Sequence, residues 1–130
     1  MVSHAHATGW TPNLEKAKER AAKEGKPLLL RFTGSNWCMP CIHLDSTVFS
    51  ESKFLSAASQ NYVLVVIDRP EGDKEMIKKA EVHLAKYKVK NLPSLVIITP
   101  DGKEIHRASP TINSSVNDVL RSIDPKNIKK

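Results

Sequence analysis

A chain of 130 residues makes one domain, long enough to bury an adequate core without a covalent staple. Twenty Lys and Arg against 14 Asp and Glu leave a net charge of +6, yet the lysines interleave with glutamates along helical faces and only 5% of residues are aromatic. That is solvated surface with little for base stacking, so no nucleic-acid partner is expected, and no apolar run approaches the roughly 20 residues of a membrane span.

Met1 to Gly9 has no basic start followed by an apolar stretch, so no signal peptide is visible as written. The segment Val2-Ser3-His4-Ala5-His6-Ala7-Thr8 reads as a new start placed where a signal was cut away, which implies an extracytoplasmic setting. A disordered segment over 1–9 is expected, with His4 and His6 exposed in it rather than binding metal. Trp10 to Glu24 then begins with Thr11 as N-cap and Pro12 at the first helical position, followed by Leu14, Ala17, Ala21 and Ala22 at helical spacing. Gly25 stops the helix, and Trp10 staples it to the body. Pro27 to Thr33 carries Leu28-Leu29-Leu30 without alternation, the mark of a central strand covered on both faces.

Directly after that strand stands Arg31-Phe32-Thr33-Gly34-Ser35-Asn36-Trp37-Cys38-Met39-Pro40-Cys41, which holds both cysteines of the chain. At i and i+3 in the first turn of a helix, the two side chains lie on one face with Cβ atoms roughly 5–6 Å apart, close enough to form and break a disulfide in place. The helix N-terminus, with about half a positive charge and unpaired amides, favours thiolate at Cys38. That makes Cys38 the nucleophile and Cys41 the resolving thiol, with Pro40 tolerated in the opening turn. Half a zinc site has the same spacing, and an inert bridge is the third reading, but so short a loop removes little unfolded-chain entropy.

The remaining elements follow in order. The active-site helix runs to about Phe49 through Cys41, Leu44 and Val48, and a short helix over Ser50 to Gln60 carries Phe54, Leu55 and Ala58. Tyr62 to Asp68 is a buried, β-branched strand. Arg69 to Asp73 is a loop, closed by Asp73 as the N-cap of an amphipathic helix to Lys88 with Ile77, Ala80, Leu84 and Tyr87 inward. Leu92-Pro93-Ser94 opens a strand to Thr99, and Pro100-Asp101-Gly102-Lys103 turns it into a hairpin with Glu104 to Ala108. The last helix runs from about Asn113 or Ser114 to Ile123, with a frayed tail over Asp124 to Lys130. This order implies an α/β domain over 10–123, a mixed sheet with helices on both faces.

A strand, a Trp-Cys-x-Pro-Cys segment and a helix resemble the thioredoxin family, whose usual redox signature is a CxxC beside a βαβ pattern. The resemblance covers Trp10 to Ile123. Within the family the chain most resembles the extracytoplasmic thiol:disulfide reductases, of the DsbD C-terminal-domain and DsbH types, through Gly25-Lys26-Pro27, Gly34-Ser35-Asn36-Trp37-Cys38, Val48-Phe49-Ser50 and Asp101-Gly102-Lys103-Glu104, short strings less specific than the CxxC. It implies a three-layer α/β/α thioredoxin fold with an extra N-terminal helix. It also implies a periplasmic or otherwise extracytoplasmic reductase of protein disulfides, a monomer recharged by an upstream thiol reductant, with no cofactor beyond its own disulfide and no metal; the alternative is a metal-binding or redox-sensing module of the same fold without catalytic turnover.

By the same resemblance Pro93 is a cis proline whose neighbour Leu92 presents its backbone to a substrate peptide, while Trp37, Met39 and Pro40 shape the substrate-facing surface. Met39 stands where thioredoxins carry glycine, which suggests a preference for apolar flanks in client disulfides. Thioredoxins also carry a buried aspartate on the strand before the motif, paired with a lysine on its neighbour; Arg31 and Val65 stand near those places. Arg31 reads as an edge-facing charge without a role. The acceptor of the Cys41 proton is therefore unassigned, and Asp45, one turn beyond Cys41, is weighed against an exposed helix charge. His43 turns away from the thiols as a surface histidine, and His83 and His106 carry no partner pattern.

Overall fold

The computed structural model describes residues 9–128. Helix α1 (Leu14–Glu24) precedes strand β1 (Leu28–Thr33), which feeds helix α2 (Met39–Leu44) and a π-helical turn over Asp45–Phe49. Helix α3 (Ser52–Asn61), β2 (Val63–Asp68), α4 (Lys74–Lys86), the β3 (Ser94–Ile98) and β4 (Glu104–Ala108) hairpin and α5 (Val116–Ser122) complete the domain. Local signals set most ends: Gly25 caps α1 at φ 67°, a left-handed position glycine adopts at little cost, and the Asp73 side chain accepts from the Met76 amide to start α4. Gly102, at φ 96°, makes the hairpin turn.

The strands lie in the order β2-β1-β3-β4, with β1 parallel to β2 and antiparallel to β3. Thr33 is level with Asp68, and Phe32 with Ser94. The end of β1, the end of β2 and the start of β3 therefore meet at one edge, and the segment carrying both cysteines leaves from there. Two clusters of buried side chains flank the sheet. Leu28, Leu30 and Phe32 join one, with α1 and α4; Leu29 joins the other, with Trp10, Leu44, Phe49, Phe54, Tyr62 and α5. The three-layer α/β/α arrangement and the mixed central sheet are as expected from the order of elements.

Four expectations need correcting. Asn13, not Thr11, caps α1: its side chain accepts from the Lys16 amide. Thr11 instead forms a one-residue parallel bridge to β2, donating its N–H to Leu64 O and accepting from Val66 N, each at 3.0 Å. Both residues suit a cap, and the tertiary hydrogen bonds decide which one serves. Second, the active-site helix loosens into a π-turn one turn after Cys41, with Ser50 N–H reaching back to Asp45 O. Third, the tail is ordered to Ile128: Asp124 caps a 3₁₀ turn over Pro125–Asn127, and Ile128 packs on the core. Fourth, Arg31 is no edge charge; β1 is central and Arg31 is 2% exposed. The segment 1–8, with His4 and His6, lies outside the described residues.

Candidate redox site

Cys38 occupies the N-cap of α2, with extended backbone (φ −94°, ψ 104°), and its Sγ accepts from the Cys41 amide at 3.3 Å. It is disulfide-bonded to Cys41 across a Cα separation of 5.2 Å, inside the usual range for such a bridge. Sitting one position before the helix rather than within its first turn, Cys38 points its sulfur into the unpaired amides of that turn. The exposure expected of a nucleophile is slight: Cys38 is 6% and Cys41 2% exposed. Met39, by contrast, stands 67% exposed beside them.

The chain between β1 and α2 is held by the loop that follows β2. Ser35 donates both its N–H and its hydroxyl to the Asp68 carboxylate. Asn36 makes a reciprocal pair with the Glu71 backbone, at 3.0 and 2.9 Å. The Trp37 indole Nε1–H donates to Arg69 O at 2.7 Å while the ring remains 42% exposed. Gly34 lies under that ring: a Cβ there would come within 2.5 Å of it, so only glycine leaves room. Trp37 is thus a fixed rim for the thiols, its polar edge satisfied and its apolar face outward.

From the third side, the Leu92–Pro93 peptide bond is cis, and Leu92 O lies 3.8 Å from Cys38 Sγ. The segment Trp37 to Cys41 and the segment Leu92-Pro93 thus come together where Cys38 Sγ meets Leu92 O. His43 is exposed on α2, away from them. His83 lies half-buried on α4, where burial and then Lys18 and Lys86 lower its pKa, and His106 Nε2 is 2.9 Å from Ser122 O.

Behind Cys41 a polar cavity of about 570 Å³ opens between β1, α2 and the loop after β2. Arg31 and Asp45 both line it, joined by an ion pair of 3.5 Å from Nη1 to Oδ1. The guanidinium is sandwiched between the rings of Trp10 (4.6 Å) and Phe49 (4.9 Å), and the Trp10 indole N–H is fixed on Phe49 O at 2.9 Å. Burial lowers the Arg31 pKa to about 10 against the pull of Asp45 and Asp68, so it stays charged at neutral pH. Asp45 is 29% exposed at its side chain. Residue type alone places Arg31 at an edge and so misses this pair; the signal in the sequence is the unbroken apolar run of Leu28-Leu29-Leu30 and Phe32 around it.

Residues 9–100 match the family described as Thioredoxin-like. The chain belongs to that family. Its fold is thioredoxin-like, with five α-helices and a four-stranded mixed sheet among the described residues. Over 95 residues, 71% of its length, it is 35% identical to the disulfide bond reductase DsbH of Chlamydia pneumoniae, spanning 57% of that protein. Over 122 residues, 94% of its length, it is 32% identical to the thiol:disulfide interchange protein DsbD of Campylobacter jejuni, spanning 20% of it. A solved DsbH oxidoreductase superposes with a TM-score of 0.76 at 27% identity, over 96% of this chain and 92% of that one. Among the described residues, no helix is long and apolar enough to cross a membrane, and no group of three or more His, Cys, Asp or Glu is placed to hold a metal ion.

Proposed function

We propose that this chain is a thiol–disulfide oxidoreductase that reduces protein disulfides outside the cytoplasm. The observation that carries the reading is the position of Cys38: a sulfur at a helix N-cap, receiving an amide hydrogen bond and bridged to a second cysteine one turn on. Amide donors and the helix dipole stabilise a thiolate, which is the attacking species in exchange. In the reduced protein, Cys38 Sγ attacks one sulfur of a client disulfide, forming a mixed disulfide and releasing the other client sulfur as thiolate. Cys41 then loses its proton and attacks Cys38 Sγ. The Cys38–Cys41 bond forms, the client's second sulfur leaves, and two electrons have passed to the client.

Trp37, Met39, Pro40, Leu92 and Pro93 form the client-facing surface in this reading. Leu92 O, next to Cys38 Sγ, is available for strand-like pairing with an extended peptide. An upstream dithiol donor returns the disulfide to thiols, with no cofactor and no metal, and the protein acts as a monomer. The reducing direction is supported by the similarity to a protein named as a disulfide bond reductase, and the exchange chemistry by the similarity to one named as a thiol:disulfide interchange protein.

The test is a redox titration against glutathione together with insulin reduction by dithiothreitol. A potential near thioredoxin's roughly −270 mV is expected, with turnover lost in Cys38→Ser and a client-linked species trapped in Cys41→Ser. A value near the roughly −120 mV of a strong oxidant such as DsbA reverses the direction. Turnover that survives Cys38→Ser removes the enzyme reading.

A further inference from the structure

The redox segment carries three sulfurs, and the fold treats them unequally. Cys38 and Cys41 are bonded to each other and buried, while Met39, set between them in the sequence, stands 67% exposed. It is the first residue of α2, and Ile42, three positions on and so on the same helix face, is also exposed. With the outward ring of Trp37 these side chains form an apolar rim around sheltered thiols. Exposed apolar carbon alone calls for no explanation. A thioether adds a chemistry that leucine at the same place lacks: its sulfur accepts an oxygen atom from a peroxide and becomes a sulfoxide, which is polar and chiral.

The oxidant has to reach the sulfur, so exposure decides which methionine reacts first. Met76, the other methionine among the described residues, is 39% exposed and forms part of the wall of the polar cavity behind Cys41, which makes it an internal comparison. The state of the cysteines matters as well. Each reduction of a client ends with the Cys38–Cys41 bond closed, and in that state neither cysteine offers a thiolate to an oxidant. The same state leaves Met39 open. A peroxide arriving at the disulfide form therefore meets the thioether before it meets any reactive thiol.

We propose that Met39 is a modification site that controls client access: a hydroperoxide converts its thioether to the sulfoxide, which slows the approach of protein clients to Cys38 and leaves the thiols themselves competent. The proposal rests on the oxidoreductase reading. In the step, the peroxide O–O bond breaks, one oxygen passes to Met39 Sδ and the other leaves as water or an alcohol. The thioether loses two electrons and the peroxide gains them. Reversal takes a sulfoxide reductase and a dithiol, which gives up two electrons and two protons to return the thioether, a disulfide and water. The new oxygen is an acceptor in the middle of an apolar rim, and a client packing apolar side chains there leaves it without a donor. A small disulfide has no such flank to pack and needs only Cys38.

The test treats the disulfide form with hydrogen peroxide, removes the peroxide, reduces the protein and assays it with insulin and with dithionitrobenzoate. Peptide masses are expected to show one added oxygen on Met39 ahead of Met76. Insulin reduction should then fall roughly tenfold, the effect of one polar group left unpaired, while reaction with dithionitrobenzoate stays within about twofold of its untreated rate. Treatment with a methionine sulfoxide reductase should restore the insulin rate. Met39→Leu, whatever its own starting rate, should lose none of it to peroxide; it keeps Met1, Met76 and both cysteines, and so separates this site from the rest of the chain. An insulin rate that holds with Met39 fully oxidised overturns the proposal, as does oxidation of Met76 ahead of Met39 or a loss that persists in Met39→Leu. Untreated wild-type protein that reduces no insulin would instead count against the oxidoreductase reading.

Discussion

Leu28, Leu30 and Phe32 leave one side of β1 into an apolar cluster under α1 and α4, whereas Leu29, Arg31 and Thr33 alternate to the side of the active-site helix. The first side is packed with aliphatic and aromatic carbon. The second has a cation enclosed in rings at the level where the redox segment begins. One strand thus anchors the sheet on one face and, on the other, lines the cavity behind Cys41 with a cation. Apolar packing and buried charge separate here across a single backbone.

The sharpest way to break that contrast is to cut each face in turn. Phe32→Ala should cost about 3–5 kcal/mol in urea unfolding, the usual result of emptying a packed site, while leaving the reduction potential of the folded protein unchanged. Across the strand, Asp45→Asn should cost about 3 kcal/mol, because it strands a buried guanidinium. Arg31→Met should fall within about 1 kcal/mol of wild type or gain stability, since Asp45 is partly open to water and the apolar pocket accepts the replacement. An Arg31→Met protein that unfolds as easily as Phe32→Ala would erase the distinction between the faces.

Alkaline titration sharpens it further. The folded pKa of Arg31, about 10, lies below that of a free guanidinium, so the folded state sheds that proton first and this group's contribution to stability rises as pH climbs above 10. Tyr62 has the opposite sign. Burial, aided by Asp124, pushes its phenol up to about 12, and it donates to Ile123 O at 2.5 Å. The stability it lends is complete below about pH 10 and fades as pH climbs through 12. Tyr62→Phe should cost about 1 kcal/mol at pH 7 and flatten that fade, as chemical unfolding at several pH values can measure. Smallest of all in stability is Met39→Gly on the exposed rim: exchange with a small disulfide should hardly change while a protein client reacts more slowly. Equal effects on both would remove the idea of an apolar client preference.

Much of this was legible along the chain because the signals are local. The leucine run of β1, Gly25, Asp73, the Pro100–Lys103 turn and the Cys-Met-Pro-Cys segment each act within a few residues of themselves, and each lies where its chemistry puts it. What escaped was decided by distant parts of the chain. Thr11 and Asn13 are both acceptable caps, and hydrogen bonds to Leu64 and Val66 draw Thr11 away. Arg31 becomes an interior residue because Trp10 and Phe49 close over it from separate elements. The low exposure of Cys38 arises likewise where the loop after β2 and the Leu92–Pro93 segment come together.

The bridge made by Thr11 has a consequence for the molecule in company. β2 is the outermost strand on its side of the sheet, and Thr11 occupies the amide of Val66 and the carbonyl of Leu64 that would otherwise face outward. Unoccupied backbone along a strand rich in valine and isoleucine invites another chain to add itself there. A Thr11→Pro variant, which removes the N–H that fills Leu64 O and leaves Trp10 in the core, would keep its thiols, and its first failing should be self-association through that rim.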